Sequence, residues 1–583
     1  VMTPDNFIEV SFEVANKVGG IHQVLKSKAG SMQERYGKGY LTVGIYKEES
    51  AAKEFAPRED HELDGVFRRL EDKGIECYYG VWNIHTDPRC ILVDASGMEK
   101  TADEIKKEFW EEYGIESMEA GPDFDEPLKW SYAVGELVKE LEKELEGSTV
   151  LQAHEWLSGG AILNSETPSV FTTHATVLGR TLSSSDFDLQ GAVAQGTVSQ
   201  HLAEEHKVVA KHGMEKVSAE ESDVFTTVSK NTGEEAEAVL QVRPDIILPN
   251  GFNVEDFPSL EELSYKHKKK KDQVKEFLRA YFKPYYDVDL ERDPRILYTS
   301  GRYEYHNKGI DVFIEALADI NEKEGDDIFV FILVPSDIKH QKLEVVENLS
   351  LYEELENHLD SMMPELKKKL LNEITSGNSP DKKCLDLIER SSREVKSLQE
   401  NFRAKQGQTP PMSAFDLNYP EDEILTALYE NGLRNRESDR VKVVFYPTYL
   451  SVGDRLLSMS YNDFVVASSA GIFPSYYEPW GYTPVETAAN GALSVTTDMA
   501  GFGKFLQEET REEDRKGIRI LERENKSYED SVRQLSEFIE DFVSYSKTEI
   551  TERKHNARKL AQLTSWDRLS KNYIEAHKMA LEG

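Results

Sequence analysis

Short β-branched apolar runs alternate with longer amphipathic stretches along this chain, in two separate blocks. In the first, FIEVSFEVA, YLTVGIY, CILVDAS, STVLQAHEW, SVFTTHA, VFTTVS and IILPNGF predict strands, with helices such as WSYAVGELVKELEKEL between them. The second opens at RILYTSGRYEY and runs through DIFVFILVP, VKVVFYPTYL and FVVASSAGIF to LSVTTD. Such alternation predicts an α/β fold of parallel sheets covered by helices. Two doubly wound halves, assigned to 1–255 and 256–583, leave a cleft between them. Ligands of open α/β sheets bind beyond the carboxyl ends of the strands, so the loops after these runs are where chemistry is sought.

Between DIFVFILVP and VKVVFYP lies a charged segment, Ile338–Arg440, too long for a plain connection. LSLYEELENHLDSMMPELKKKLLNEI and CLDLIERSSREVKSLQENF predict two long helices there, either a hairpin packed on its own domain or an oligomerisation arm. Leu349, Tyr352, Leu355, Leu359, Met362 and Met363 in the first helix carry more apolar surface than one small domain can bury. So do Leu385, Leu387, Ile388, Val395 and Leu398 in the second, which favours the arm. The final helix, YIEAHKMALEG, is expected to pack back across the first half.

Composition narrows the function classes. A chain of 583 residues suffices for two cores, and a net charge of −37 argues against nucleic acid or an anionic membrane as partner. KHKKKK, Lys266–Lys271, is expected to be a solvated surface run rather than an anion patch. No apolar run approaches the ~18–20 residues that span a bilayer, and the N-terminal stretch lacks a basic segment followed by an apolar one. A cytoplasmic protein without a membrane partner is expected. Cys77, Cys90 and Cys384 are too scattered for a disulfide framework or a thiolate metal site.

Four stretches could carry chemistry. YYEPWGYTPVE sets Glu478 and Glu486 around a Trp, a Gly, a Tyr and two prolines, a pattern that by itself fits a turn as well as a site. DFVVASSAGIFPS before it predicts a buried strand, which puts Glu478 at that strand's carboxyl end. EVANKVGGIHQVL pairs Lys17 with Gly19 and Gly20 at a helix start, where free N–H groups suit an anion. GRYEYHNKGIDVFIEAL offers Arg302 and Lys308 after a strand, either a diphosphate grip or two surface cations. FTTHATVLGR ends a strand with His174 and places Arg180 six residues on, and a lone His is more often structural than functional.

Together NKVGGIHQVL, QAHEWLSGG, FTTHATVLGR, VFTTVS, RPDIILPNGFNV, GRYEYHNKGIDVF and GIFPSYYEPWGYTPVETAANG stand in the order found in the animal and fungal type of glycogen synthase, the family 3 retaining glycosyltransferases. The chain resembles that family from about Phe7 to its C-terminus. The resemblance implies the GT-B fold, two Rossmann-like domains with a nucleotide sugar in the cleft. It also implies transfer of glucose from UDP-glucose or ADP-glucose to the non-reducing end of an α-1,4-glucan such as glycogen, with retention. Another retaining GT-B glucosyltransferase, forming trehalose, sucrose or a glycoconjugate, and a non-catalytic glucan-binding scaffold are the alternatives. The presence of Glu478, Arg302 and Lys308 speaks against the scaffold.

By the same resemblance Glu478 stabilises the transition state at the donor sugar, and Glu486 orders the loop and the ribose. Arg302 and Lys308 hold the pyrophosphate in place of a metal ion, so no metal and no cofactor is expected. Lys17, Gly19 and Gly20 line the phosphate side, His174 and Arg180 face the sugar, and Tyr461 stacks on the base. N–H groups from Gly481 through Tyr482 to Thr483 complete the anion site. A homotetramer joined through the helical insertion is implied. The helix that binds glucose 6-phosphate in eukaryotic members is matched by ITERKHNARKLAQLTSW, whose basic face is expected to be solvated here.

Overall fold

The computed structural model describes residues 3–59, 62–185, 187–196, 198–253, 256–376 and 395–583. The first half holds β1 (Asn6–Val10), β2 (Tyr40–Ile45), β3 (Phe55–Pro57), β4 (Glu76–Trp82), β5 (Arg89–Asp94), β6 (Thr149–His154), β7 (Ser169–Thr173), β8 (Val224–Thr227) and β9 (Ile246–Ile247). They form one sheet in the order β3-β4-β5-β2-β1-β6-β7-β8-β9. The pairings are parallel except at one edge, where β4 runs antiparallel to both β3 and β5. That edge hairpin is absent from the sequence reading, because ECYYGVW is only half-buried and shows neither clean alternation nor an unbroken apolar run.

The second half holds β10 (Arg295–Ser300), β11 (Ile328–Leu333), β12 (Ile338–Gln341), β13 (Phe415–Leu417), β14 (Val441–Phe445), β15 (Ala470–Ile472), β16 (Leu493–Thr497) and β17 (Ile518–Leu521). Six of these make a parallel sheet in the order β14-β11-β10-β15-β16-β17, and β12 pairs with β13 separately. β11 (IFVFIL) is buried at every position, as expected of a central strand covered on both faces.

One expected strand is wrong in part. DFVVASSAGIF divides into a helix, Tyr461–Ala467, and the short strand β15. The Ser460 side chain caps the helix by accepting from the Asp463 N–H. A fully buried apolar run has no period that distinguishes the two states, so the cap decides.

Within the insertion one helix runs Leu343–Thr375, 33 residues, about 50 Å at ~1.5 Å per residue. Its foot is buried at Val345 and Asn348, and Tyr352 meets Phe402 with ring centroids 6.2 Å apart. Leu359, Met363, Leu371 and Ile374 along its outer part are exposed. Cys384, Leu385, Leu387 and Ile388 lie outside the described residues, while 395–402 is helical and carries Val395 and Leu398.

The last helix, Trp566–Glu582, packs on the first sheet. Trp566 and Tyr573 are fully buried beside Phe7, Val150 and Val170. The indole N–H of Trp566 donates to Ser27 Oγ at 2.8 Å, and Tyr36 OH and His577 Nδ1 lie 2.7 Å apart. Truncating such a Trp costs about 3–5 kcal/mol, so this helix ties the chain's end to its first strand. Among the described residues no helix is long and apolar enough to cross a membrane.

Candidate active site

The carboxyl ends of β10 and β15 are brought together by two loops. Asn307 O accepts from the Tyr476 and Tyr477 N–H groups at 2.9 and 3.2 Å. Gly309, at φ 68°, sits so close to Pro474 that a Cβ would lie 1.9 Å from its carbonyl oxygen. Only a glycine fits both the conformation and the approach. The result is an ion pair between Lys308 Nζ and Glu478 Oε2, with both side chains largely shielded. The Glu478 backbone is also held, its carbonyl accepting from Gly501 N at 3.0 Å. Arg302, on the same loop as Lys308, is exposed and 3.0 Å from Glu304.

Behind this pair the helix Tyr482–Ala489 begins at Gly481, φ 102°, with no side chain capping its first N–H groups and no acidic residue in its first turn. Thr483 and Tyr482 stand at that start, and Tyr482 OH donates to Gly251 O of the first half at 3.0 Å. One turn further on, burial pushes the Glu486 carboxyl up to about 7. Tyr461 OH lies 2.8 Å from Ser300 Oγ, and its ring meets Tyr298 edge-on at 6.4 Å.

On the facing half, the Gly19–Gly20 turn differs from the expectation. The Glu13 carboxylate accepts from Gly19 N at 2.7 Å and His22 N at 3.0 Å, so two of the N–H groups expected to be free for an anion are taken. Gly20 has no neighbour where a Cβ would stand, and Lys17 is exposed.

The loop after β7 is held by three buried glutamates that sequence reasoning did not single out. Glu155 accepts from His174 N at 2.8 Å and Ala175 N at 3.3 Å. Glu235 accepts from Thr176 N at 3.3 Å, and Glu215 from Val177 N at 2.9 Å. Glu155 adopts φ 67°, a conformation uncommon for a side chain of its kind, within the quoted AHEW motif. Burial raises all three carboxyls, Glu235 to about 7. Arg180, on the helix that follows, lies in the field of Glu155. Tyr477, next to Glu478, crosses from the second half and donates to Glu235 Oε1 at 3.1 Å. The Glu478 loop is therefore joined through Glu235 to the loop that carries His174, and the two halves meet beside residues singled out from sequence.

The two basic segments expected to be solvated are so only in part: Lys268, Lys269, His555 and Lys559 are exposed, while other members turn inward. KHKKKK lies inside the helix Leu260–Phe282, where Lys271 pairs with Asp293 at 2.5 Å and His267 Nδ1 lies 2.7 Å from Val466 O. Lys554, from the helix Lys547–Ala561, reaches within 3.5 Å of both His267 ring nitrogens. All three line a cavity of about 550 Å³ with Arg295 and Arg558. Burial, with Lys271 and Arg295 nearby, brings the Lys554 ammonium down to about 7. Packing of two helices far apart in sequence closes over these faces, which neither segment reveals alone.

Two parallel-sheet halves facing each other across such loops define a GT-B glycosyltransferase. The solved catalytic domain of Arabidopsis thaliana starch synthase IV, bound to ADP and acarbose, shares this fold with a TM-score of 0.52 at 13% identity, covering 99% of each chain. A sequence model described as glycogen synthase matches residues 9–583. Glycogen [starch] synthase of Neurospora crassa is 32% identical over 98% of this chain and 83% of its own length. Rat liver glycogen [starch] synthase gives 32% over 98% and 83%. Isoform 1 of Saccharomyces cerevisiae gives 32% over 98% and 85%. The chain belongs to the glycogen synthase family, and its enzyme class is that of a retaining glycosyltransferase.

Proposed function

We propose that this cleft moves glucose from UDP-glucose to the non-reducing end of an α-1,4-glucan such as glycogen, with Glu478, Lys308 and Arg302 as the central groups. The observation that carries the reading is the Lys308–Glu478 pair, built where the two halves meet. As the bond from C1 to the β-phosphate oxygen breaks, negative charge grows on UDP and positive charge on the sugar. Lys308 and Arg302 then neutralise the first and the Glu478 carboxylate the second, without a metal ion. In the resting state Lys308 and Glu478 neutralise each other, which keeps two partly buried charges paired until the donor separates them. His174 and Arg180 face the sugar, Lys17 and Gly20 the phosphates, Tyr461 the base and Glu486 the ribose. The N–H groups at Tyr482 and Thr483 hold phosphate oxygens. The division into 1–255 and 256–583, a cytoplasmic setting and a homotetramer belong to the same reading. The exposed Leu359, Met363, Leu371 and Ile374 support joining through the insertion helix. UDP release from UDP-glucose, measured with and without glycogen, tests the function. Release dependent on glycogen is expected; release that needs a small sugar phosphate instead, or none with any acceptor, overturns it.

A second reading concerns the cavity between the helices Leu260–Phe282 and Lys547–Ala561. Its lining of Lys271, Lys554, Arg295, Arg558 and His267 suits a phosphorylated sugar, and the matching helix of eukaryotic family members takes glucose 6-phosphate. We propose that glucose 6-phosphate binds here, in place of the solvated basic face expected from sequence.

A further inference from the structure

Behind His174 lies a chain of polar groups that the transfer mechanism does not use directly. Glu9 on β1, Lys28, Tyr40 on β2 and His154 at the end of β6 are all buried, in the middle of the first sheet. Lys28 Nζ forms an ion pair with Glu9 Oε1, and Tyr40 OH donates to Glu9 Oε2 at 2.6 Å. His154 Nε2 lies 2.9 Å from Glu9 Oε1, and His154 Nδ1 lies 3.0 Å from His174 Nε2. β1 and β6 are parallel neighbours with Val10 opposite Ala153, and β7 runs beside β6 with Thr172 opposite His154. The relay thus runs from β1 through the end of β6 to His174, the first residue after β7, whose backbone N–H is itself held by Glu155.

The direction of the hydrogen bonds follows from charge. Burial alone would raise the Glu9 carboxyl, but Lys28 and His154 hold it well below the usual carboxylate range, so Glu9 only accepts. His154 must then donate from Nε2. Burial keeps both imidazoles neutral, that of His174 with the added repulsion of Lys28 and Arg180. A neutral His154 that donates from Nε2 has a lone pair at Nδ1, so the proton between the two rings belongs to His174 Nε2. The opposite direction would require an imidazolium beside the buried Lys28 ammonium, or a proton on Glu9. No protein group among the described residues hydrogen-bonds His174 Nδ1.

We propose that Glu9 and His154 are positioning residues that lock His174 as its Nε2–H tautomer, so that His174 Nδ1 accepts a hydrogen bond from a hydroxyl of the donor sugar. The proposal rests on the reading above that His174 faces that sugar. The sugar's hydroxyl meets a fixed acceptor, in a ring that cannot rotate without breaking a buried hydrogen bond.

The test combines nitrogen NMR with kinetics on the full-length protein. With ¹⁵N-labelled histidine, and the His174→Ala protein to assign the signals, His174 should show a protonated Nε2 and an unprotonated Nδ1. His154→Phe should free the tautomer and lower kcat by about 10- to 100-fold, as loss of the partner that orients a metal-ligating histidine does, while UDP alone binds as before. His154→Gln, whose amide can donate to Glu9 and accept from His174, should restore most of the loss. A proton on His174 Nδ1, or on both nitrogens, overturns the relay, as does a His154→Phe protein with unchanged tautomer and kcat. If His154→Phe fails to fold, the spectrum of the unsubstituted protein still decides. Full turnover in His174→Ala would overturn the sugar-facing reading and with it the acceptor role, while the spectrum judges the relay separately.

Discussion

Strand β10 has a group of cations beyond each end, and the two groups are assembled in opposite ways. At the carboxyl end Arg302 and Lys308 come from one loop, and Lys308 is matched by Glu478. At the amino end Arg295, Lys271, Lys554 and Arg558 come from three distant segments. There Asp293 serves both Lys271 and Arg295, at 2.5 and 3.4 Å, and among the described residues no carboxylate pairs with Lys554. The first group is balanced before any ligand arrives. The second holds excess positive charge in a buried place, a cost that an anionic ligand would remove.

The comparison breaks most sharply at Glu478. Glu478→Ala should abolish nearly all transfer while the protein still folds, with a lowered unfolding temperature because Lys308 loses its partner. A variant with substantial turnover in the UDP-release assay would contradict its role. Next, Arg302→Ala and Lys308→Ala should each lower kcat by about 2.7–4 kcal/mol of transition-state stabilisation, roughly 100- to 1,000-fold. A rise in KM alone would mean that these cations only hold the donor.

Substitution at the other end of β10 should leave basal turnover nearly intact and change stability and effector binding instead. Lys554→Met should abolish any rise in melting temperature caused by glucose 6-phosphate. Its pH behaviour sharpens the point. The folded protein holds this lysine near 7 and the unfolded chain near 10.5, so the unfolded state binds more protons between those values. Stability should therefore climb as pH rises above about 7, and the climb should be smaller in Lys554→Met, as read by calorimetry across that window. The smallest expected effect is that of a metal chelator, which should leave turnover unchanged if protein cations neutralise the leaving group; restoration by added magnesium or manganese would refute that.

The contrast also explains what was legible. The candidate residues were legible in sequence because each loop is contiguous: GRYEYHNKG carries Arg302 and Lys308 together, and YYEPWGYTPVE carries Glu478 and Glu486. The parallel strands were legible too, since a strand covered on both faces must be apolar throughout, as in β11. The same rule failed at DFVVASSAGIF, where complete burial removes the period that separates helix from strand.

By itself, then, the sequence determined the alternating α/β plan, the candidate loops at the strand ends and the family to which the chain belongs. These are encoded locally, in apolar periodicity and in short motifs whose residues are neighbours along the chain. Only the tertiary structure decided which distant charges share a space: Lys271 with Lys554, Tyr477 with Glu235, and Glu9 with Lys28, His154 and, through it, His174. The reason is that burial and Coulomb interaction depend on distance in space. A lysine in a basic run reads as solvated until a second helix closes over it, and a glutamate in a strand reads as ordinary until a lysine and a histidine converge on its carboxylate.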